Sequence, residues 1–309
     1  MTNELTIAVL GANGRLGSTV AREADARGHR VLSVTRRGGG TVGEPRAADA
    51  GDADALARAV TGAAVVVNAL NPVYTDWAAA VLPMTRAVLS ACGAVGAHHL
   101  YPGNVYGLGA SMPPVIRPDT SDRPTTRKGR IRRDAEAAIR EAAHAGRVRS
   151  TILRAGDFFG GANPGGSWLD LVVASKLGKG RVVHPGPADV PHAWAYLPDL
   201  AAAFVDLAEQ RAALPRHAVF GFAGHAVTGD GMHAALERAT GRDLSRSRFA
   251  WPLLRAAALV HPMSREVSEM RYLWAVPHRI DGTALEAVIG PGRPTPLLDA
   301  LAAALRDLT

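Results

Sequence analysis

Residues 5–28, LTIAVLGANGRLGSTVAREADARG, limit the fold more than any other part of this chain. A short apolar run ends in three glycines spaced Gly-x-x-Gly-x-x-Gly, and an amphipathic stretch of helical period follows at once. Each glycine answers a physical demand. Gly11 lets a strand turn sharply, Gly14 lets backbone N–H groups approach a pyrophosphate, and Gly17 lets the helix pack close to the sheet. Around Asn13, Gly14, Arg15 and Leu16 the helix start offers unpaired amides and a partial positive charge to such an anion. Sitting between strand and helix, the loop reads as a phosphate cradle rather than an ordinary turn.

Downstream, short β-branched runs alternate with Ala-rich stretches of helical period. Strands are expected at 6–10, 31–35, 64–68, 99–102 and 150–154, with a weaker one at 46–49, and helices at 16–27, 53–60, 78–95 and 130–144. That alternation defines an α/β chain, a Rossmann-type doubly wound parallel sheet. After Arg154 it breaks, and Gly and Pro become dense in GGANPGG and HPGPADVP. Because 309 residues exceed the usual single core, a smaller C-terminal substrate domain is expected. The dinucleotide-binding domain takes 1–155 plus about 198–224, where a helix and a strand return to the sheet. The smaller domain takes 156–197 plus 225–309.

The glycine spacing resembles that of the short-chain dehydrogenase/reductase superfamily, in its extended or atypical branches, which include the NAD-dependent epimerases and dehydratases. ADAGDADALARAVTGAAVVVNAL, HLYPGNVYG, LRAGDFFG and AYLPDLAAAF are similar to further segments of that family, so the resemblance covers most of the chain. It implies that Asp49 contacts the adenine and that Ala69 and Leu70 border the ribose, while Asp52 caps the next helix.

The end of the second strand selects the dinucleotide. An NAD enzyme needs a carboxylate there for the adenosine ribose, but this chain reads Thr35, Arg36, Arg37 and has no acid before Glu44. Guanidinium groups grip a phosphate through paired hydrogen bonds. NADP(H) is therefore the expected cofactor, with Arg15 as a further cation.

Most of this superfamily transfers a proton through a Tyr four residues before a Lys. None of Tyr74, Tyr101, Tyr106, Tyr196 and Tyr272 has a Lys at that spacing, and Pro102 occupies the family's hydroxyl position. In TTRKGRIRRDAEAAIREA, aligned on Glu136, Lys128 falls at the place of the Tyr and Arg132 at that of the Lys. This spelling is similar to isoflavone-reductase and NmrA-like proteins, which implies Lys128 as the catalytic group. Helical spacing places Lys128 in line with Ile131, Ala135, Ala138, Ile139 and Ala142, toward the sheet. A desolvated lysine among cations could serve as acid or base. The contrary reading is a solvated positive face, with Arg132 and Glu136 paired on the surface. Asn104, Tyr101 and Tyr106, at the C-terminal end of a parallel strand, are further catalytic candidates.

These features lead to an expected NADPH-dependent oxidoreductase reducing a C=O, C=C or C=N bond of a small, apolar metabolite. The alternatives are a non-catalytic NmrA-like dinucleotide sensor and a nucleotide-sugar epimerase or dehydratase. Eleven histidines without metal-ligand spacing, and one cysteine, Cys92, argue against a metal site. His184 and His192 bracket PGPADVP and could line a cleft. Phe158, Phe159, Trp168, Trp194, Tyr196 and Trp251 either wall an apolar pocket or build the small domain's core. A formal charge of +7 suits an anionic ligand, and no nucleic-acid motif accompanies it. No apolar run is expected to span a membrane and no signal core is seen. The expected setting is cytoplasmic, with a small-molecule substrate, no nucleic acid or membrane as partner, and a homodimer as the assembly considered.

Overall fold

The computed structural model describes residues 4–40, 42–161, 163, 166–292 and 294–306. In chain order its strands are β1 (Thr6–Leu10), β2 (Arg30–Thr35), β3 (Glu44–Ala47), β4 (Val65–Asn68), β5 (His98–Gly103), β6 (Val115–Ile116), β7 (Arg149–Arg154), β8 (Asp157–Phe159), β9 (Arg181–His184), β10 (Pro191–Tyr196), β11 (His217–Gly221), β12 (His225–Thr228), β13 (Ser245–Arg248) and β14 (Arg279–Ile280). The α-helices are α1 (Arg15–Ala26), α2 (Ala53–Ala59), α3 (Trp77–Val95), α4 (Arg127–His144), α5 (Leu197–Glu209), α6 (Gly229–Thr240), α7 (Trp251–Ala257), α8 (Pro262–Ser268), α9 (Thr283–Ile289) and α10 (Leu297–Arg306).

Seven strands form one sheet in the order β11-β7-β5-β4-β1-β2-β3, parallel at every pairing. Continuous apolar runs such as Ile7–Leu10 and Val65–Val67 suit strands covered on both faces. One face packs on α1 and α5 through Leu16, Val20, Leu200 and Phe204. The other packs on α2, α3 and α4 through Leu56, Val88 and Ile139. Strand order reverses between β1 and β4, so the connections leaving their carboxyl ends run to opposite faces of the sheet and open a crevice. The weakly signalled strand is β3, at the sheet edge, where Pro45 forfeits little pairing.

The remaining strands form the sheet β12-β10-β8 and two strand pairs, β13-β9 and β14-β6. Beside them lies a core of Phe159, Leu169, Trp194, Trp251, Trp274 and Leu301. Of the two roles open to the aromatic residues, pocket wall or core, most of them take the second. Helix α9 departs from the expected boundary: Leu285 and its neighbours pack with α5 and β11 in the larger unit. A second correction concerns α3. Within Tyr74–Val95, 22 residues, an 18-residue stretch has a mean hydropathy of 1.5, long and apolar enough to cross a membrane. Here it packs between α2 and α4, burying Val81, Val88 and Cys92.

The sheet interior also carries polar groups. His99 Nδ1 meets Ser150 Oγ at 2.8 Å, and His98 Nε2 meets Thr151 Oγ1 at 2.9 Å. Burial, reinforced by nearby cations, lowers His98 to about 4 and His99 to about 3. The unfolded chain, with imidazoles near 6.5, binds more protons below that pH, so this stability is complete above 6.5 and is lost as pH falls toward 4 and then 3. Between pH 6.5 and 4.5 each histidine is expected to remove up to about 1.4 kcal/mol per pH unit. Urea titrations across this range check it, and a flat midpoint would contradict buried neutral imidazoles.

Candidate active site

At the crevice, Gly11 takes φ +73°, and a Cβ there would stand 3.0 Å from the Ala69 carbonyl oxygen. A Cβ on Gly17 would stand only 2.2 Å from the Gly11 carbonyl oxygen. Only glycine permits this closeness of strand, loop and helix. The Gly14 amide donates to Gly11 O at 2.8 Å, and Ser18 N donates to Gly14 O at 2.8 Å to begin α1. No side chain caps this helix start, so its first amides can receive a phosphate. Leu16 is buried in the core and serves the loop through its backbone.

Arg15 requires a correction. Its guanidinium donates to Gly160 O at 2.9 Å and pairs with Asp170 at 3.0 Å, with burial lowering its pKa against the pull of Asp170. It ties the loop to the smaller unit instead of standing free as a cofactor cation. Asn163 adds a bond from Nδ2 to the Asn13 carbonyl at 3.0 Å.

Past β2, the Thr35 hydroxyl exchanges 3.0 Å bonds with both backbone groups of Gly39. The turn holds Arg36 and Arg37 exposed, and neither pairs with an acid among the described residues. Asp49 Oδ1 accepts from Gly51 N at 2.8 Å, and Asp52 caps α2 as the sequence implied. Ala69 N donates to Leu10 O at 3.1 Å, which holds the exits of β1 and β4 side by side with Leu70 next in line.

The predicted catalytic residues take different partners. Lys128 is wholly buried, yet its neighbours are carboxylates and not the expected cations: Nζ bonds Glu266 and lies 3.2 Å from Glu269. It also sits 4.9 Å from the Tyr74 ring centroid. Burial pushes the Glu266 carboxyl up, but Lys128 and Arg127 outweigh it and hold it below its ordinary value. Asn104 is engaged in a turn, its Oδ1 accepting from Tyr106 N at 3.0 Å. Tyr106 touches the Tyr74 hydroxyl at 3.1 Å, and burial raises it well above the usual phenol range.

Tyr101 has a different partner. It is 3% exposed, and its hydroxyl accepts a hydrogen bond from Arg132, whose guanidinium also stacks 4.7 Å from the Trp77 ring centroid. Glu136, which the contrary reading pairs with Arg132 on the surface, is buried and accepts from Arg154 Nη2 at 2.6 Å. Nothing in the local sequence announced Glu266, Glu269 or Trp77 as partners. Arg132 had one signal, its position four residues after Lys128.

His184 and His192 line a small, mostly apolar cavity of about 30 Å³ with Trp194, Trp274 and Met232. His192 lies flat against Trp274, 4.0 Å away, and meets Asp157 at 2.8 Å. The cavity has room for one or two waters. Among the described residues no cluster could hold a metal ion.

The parallel sheet, its switch-point crevice and the glycine cradle define a Rossmann-fold enzyme class built around a nicotinamide dinucleotide. More narrowly, this chain belongs to the NAD dependent epimerase/dehydratase family, whose model matches residues 7–221. It is similar in structure to UDP-glucose 4-epimerase from Brucella ovis in complex with NAD, with TM-score 0.78, 16% identity, and 98% of each chain covered. Also similar is UDP-glucose 4-epimerase from Bifidobacterium longum in complex with NAD+ and UDP, with TM-score 0.76 and 16% identity over 98% of this chain and 97% of that one. UDP-N-acetylglucosamine 4-epimerase from Bacillus cereus gives TM-score 0.75 and 14% identity over 99% and 95%. No curated protein matches this chain in sequence.

The buried charge cluster makes a direct prediction. Lys128→Met leaves Glu266 with Arg127 alone and takes the ammonium from Glu269, and is expected to cost about 3 kcal/mol in urea unfolding. Adding Glu266→Gln and Glu269→Gln should restore much of it. A neutral single substitution would show that the cluster is solvated.

Proposed function

We propose that this chain is an NADP(H)-dependent oxidoreductase acting on a C=O, C=C or C=N bond of a small apolar molecule, with Tyr101 and Arg132 replacing the missing Tyr-x-x-x-Lys pair. The observation that carries this reading is the hydrogen bond from the Arg132 guanidinium to the Tyr101 hydroxyl at the carboxyl end of β5. A fixed cation beside a phenol oxygen stabilises the negative charge that develops there as the proton leaves. Tyr101 supplies that proton to the substrate, and Arg132 holds the resulting phenolate. Arginine keeps its charge, so the pair needs no second proton relay.

Bound in the crevice, the dinucleotide supplies the hydride. The cradle at Gly11–Gly17 orients its pyrophosphate, and Arg36 and Arg37 take the 2′-phosphate. Lys128 is a positioning residue: tied to Glu266 and Glu269, it holds α8 and the following turn against the start of α4.

Tyr101→Phe is expected to lower turnover by about 10²–10⁴-fold while leaving cofactor affinity nearly unchanged. Arg132→Lys should retain part of the rate. Single-turnover NADPH oxidation against small carbonyl, enone and imine compounds measures this, and an unchanged rate in Tyr101→Phe would remove the proton-donor role.

Cofactor choice is tested separately. Charge-assisted hydrogen bonds contribute about 1.5–3 kcal/mol each, so Arg36→Ala with Arg37→Ala should weaken NADP binding tens-fold and barely alter NAD binding. Equal affinity of the unaltered protein for both dinucleotides would overturn the preference.

The family match favours a second reading, a nucleotide sugar as substrate. Calorimetric titration with UDP-sugars separates the two, since the apolar-substrate reading expects no saturable binding.

A further inference from the structure

The helical hairpin α7–α8 carries a surface that the crevice does not use. Leu253 on α7 is 72% exposed, and Leu259 and Val260, in the turn before α8, are 81% and 86% exposed. Between Asp243 and Glu266 the chain contains Arg246, Arg248, Arg255 and Arg265 and no acid. All four arginines are exposed. Arg255 and Arg265 line an open groove of about 500 Å³ together with Arg127 and Arg271. Its two acids, Glu266 and Glu269, are already paired with Lys128, and Glu266 also with Arg127, so the groove presents unbalanced positive charge. Arg265 Nε donates to Ala258 O at 3.4 Å, which fixes this guanidinium beside the turn bearing Leu259 and Val260.

An aliphatic tip costs free energy in water, and the guanidinium groups next to it in the chain and along the adjoining groove mark what would cover it. At a lipid interface the aliphatic groups enter the boundary between headgroups and acyl chains while the cations meet lipid phosphates. We propose that the α7–α8 hairpin docks peripherally on an anionic phospholipid bilayer. Leu253, Leu259 and Val260 enter the interface, and Arg255, Arg265 and Arg271 hold headgroup phosphates. A nucleic acid or an acidic protein would satisfy the arginines but leave the aliphatic tip in water. A second copy would cover the tip only by bringing its own arginines against these. This inference is independent of the crevice chemistry, and at seven residues each α7 and α8 are too short to span a bilayer.

The test is sedimentation of the full chain with vesicles of phosphatidylglycerol and phosphatidylcholine, or of phosphatidylcholine alone, at low and high salt. Binding is expected only to the anionic vesicles and should weaken with salt. Each arginine near the surface is worth about fivefold, so Arg255→Glu with Arg265→Glu should reduce partitioning by at least about twenty-fold. Leu259→Ser with Val260→Ser, which leaves charge unchanged, should reduce it about tenfold. Arg58→Glu with Arg86→Glu, the same charge change on α2 and α3, should lose far less. The proposal is overturned by absent binding, by binding insensitive to the aliphatic substitutions, or by equal loss in the α2/α3 control, which would reduce the effect to net charge. It is also overturned by a dimer in size-exclusion chromatography that the aliphatic substitutions dissociate.

Discussion

The contact between Gly17 and the carbonyl of Gly11 governs the larger unit. With a Cβ at 2.2 Å from that oxygen, α1 would have to move away from the strand that precedes it. Leu16, Val20, Ala21 and Ala24 would then lose their seats against Ile7 and Val9, and the first amides of α1 would no longer face the crevice. The same closeness reaches β4, whose exit at Ala69 lies 3.0 Å from where a Gly11 Cβ would stand. Cradle, helix packing and switch point are one steric arrangement.

Over this frame the smaller unit is held by charges withdrawn from water. Arg15 spans from the cradle to Asp170 and Gly160, and Lys128 spans from α4 to Glu266 and Glu269. Pairs of this kind add modest net stability, because desolvation offsets much of the Coulombic attraction, but a misplaced partner is severely unfavourable. They therefore specify how the two units sit, and with that the width of the crevice between them.

The same cost decides which of the polar side chains near the carboxyl end of β5 are committed to structure. A lysine enclosed by two carboxylates is engaged in holding structure, and an asparagine bonded to its own turn is likewise committed. Tyr106 is raised by burial and by the negative groups near it. Tyr101, of the four predicted catalytic residues, is the one whose hydroxyl accepts a hydrogen bond from a guanidinium among the described residues, that of Arg132 on α4.

Local pattern was enough to read the α/β alternation, the glycine cradle, the bare Arg36–Arg37 turn and the Asp52 cap. All of these depend on residues within one or two elements of each other, where periodicity and steric demand are written directly. Even the marginal edge strand at Glu44–Ala47 left a trace. The destinations of Arg15, Lys128, Glu136 and Arg132 were not legible, nor was the return of α9 to the larger unit. A charged side chain has no periodic signature for its partner, and Lys128 lies 138 residues from Glu266. Sequence alone determined which elements form and where only glycine fits between strand and helix. Tertiary structure decided which charges are buried together and which hydroxyl remains beside a cation, because those outcomes follow from packing between segments distant along the chain.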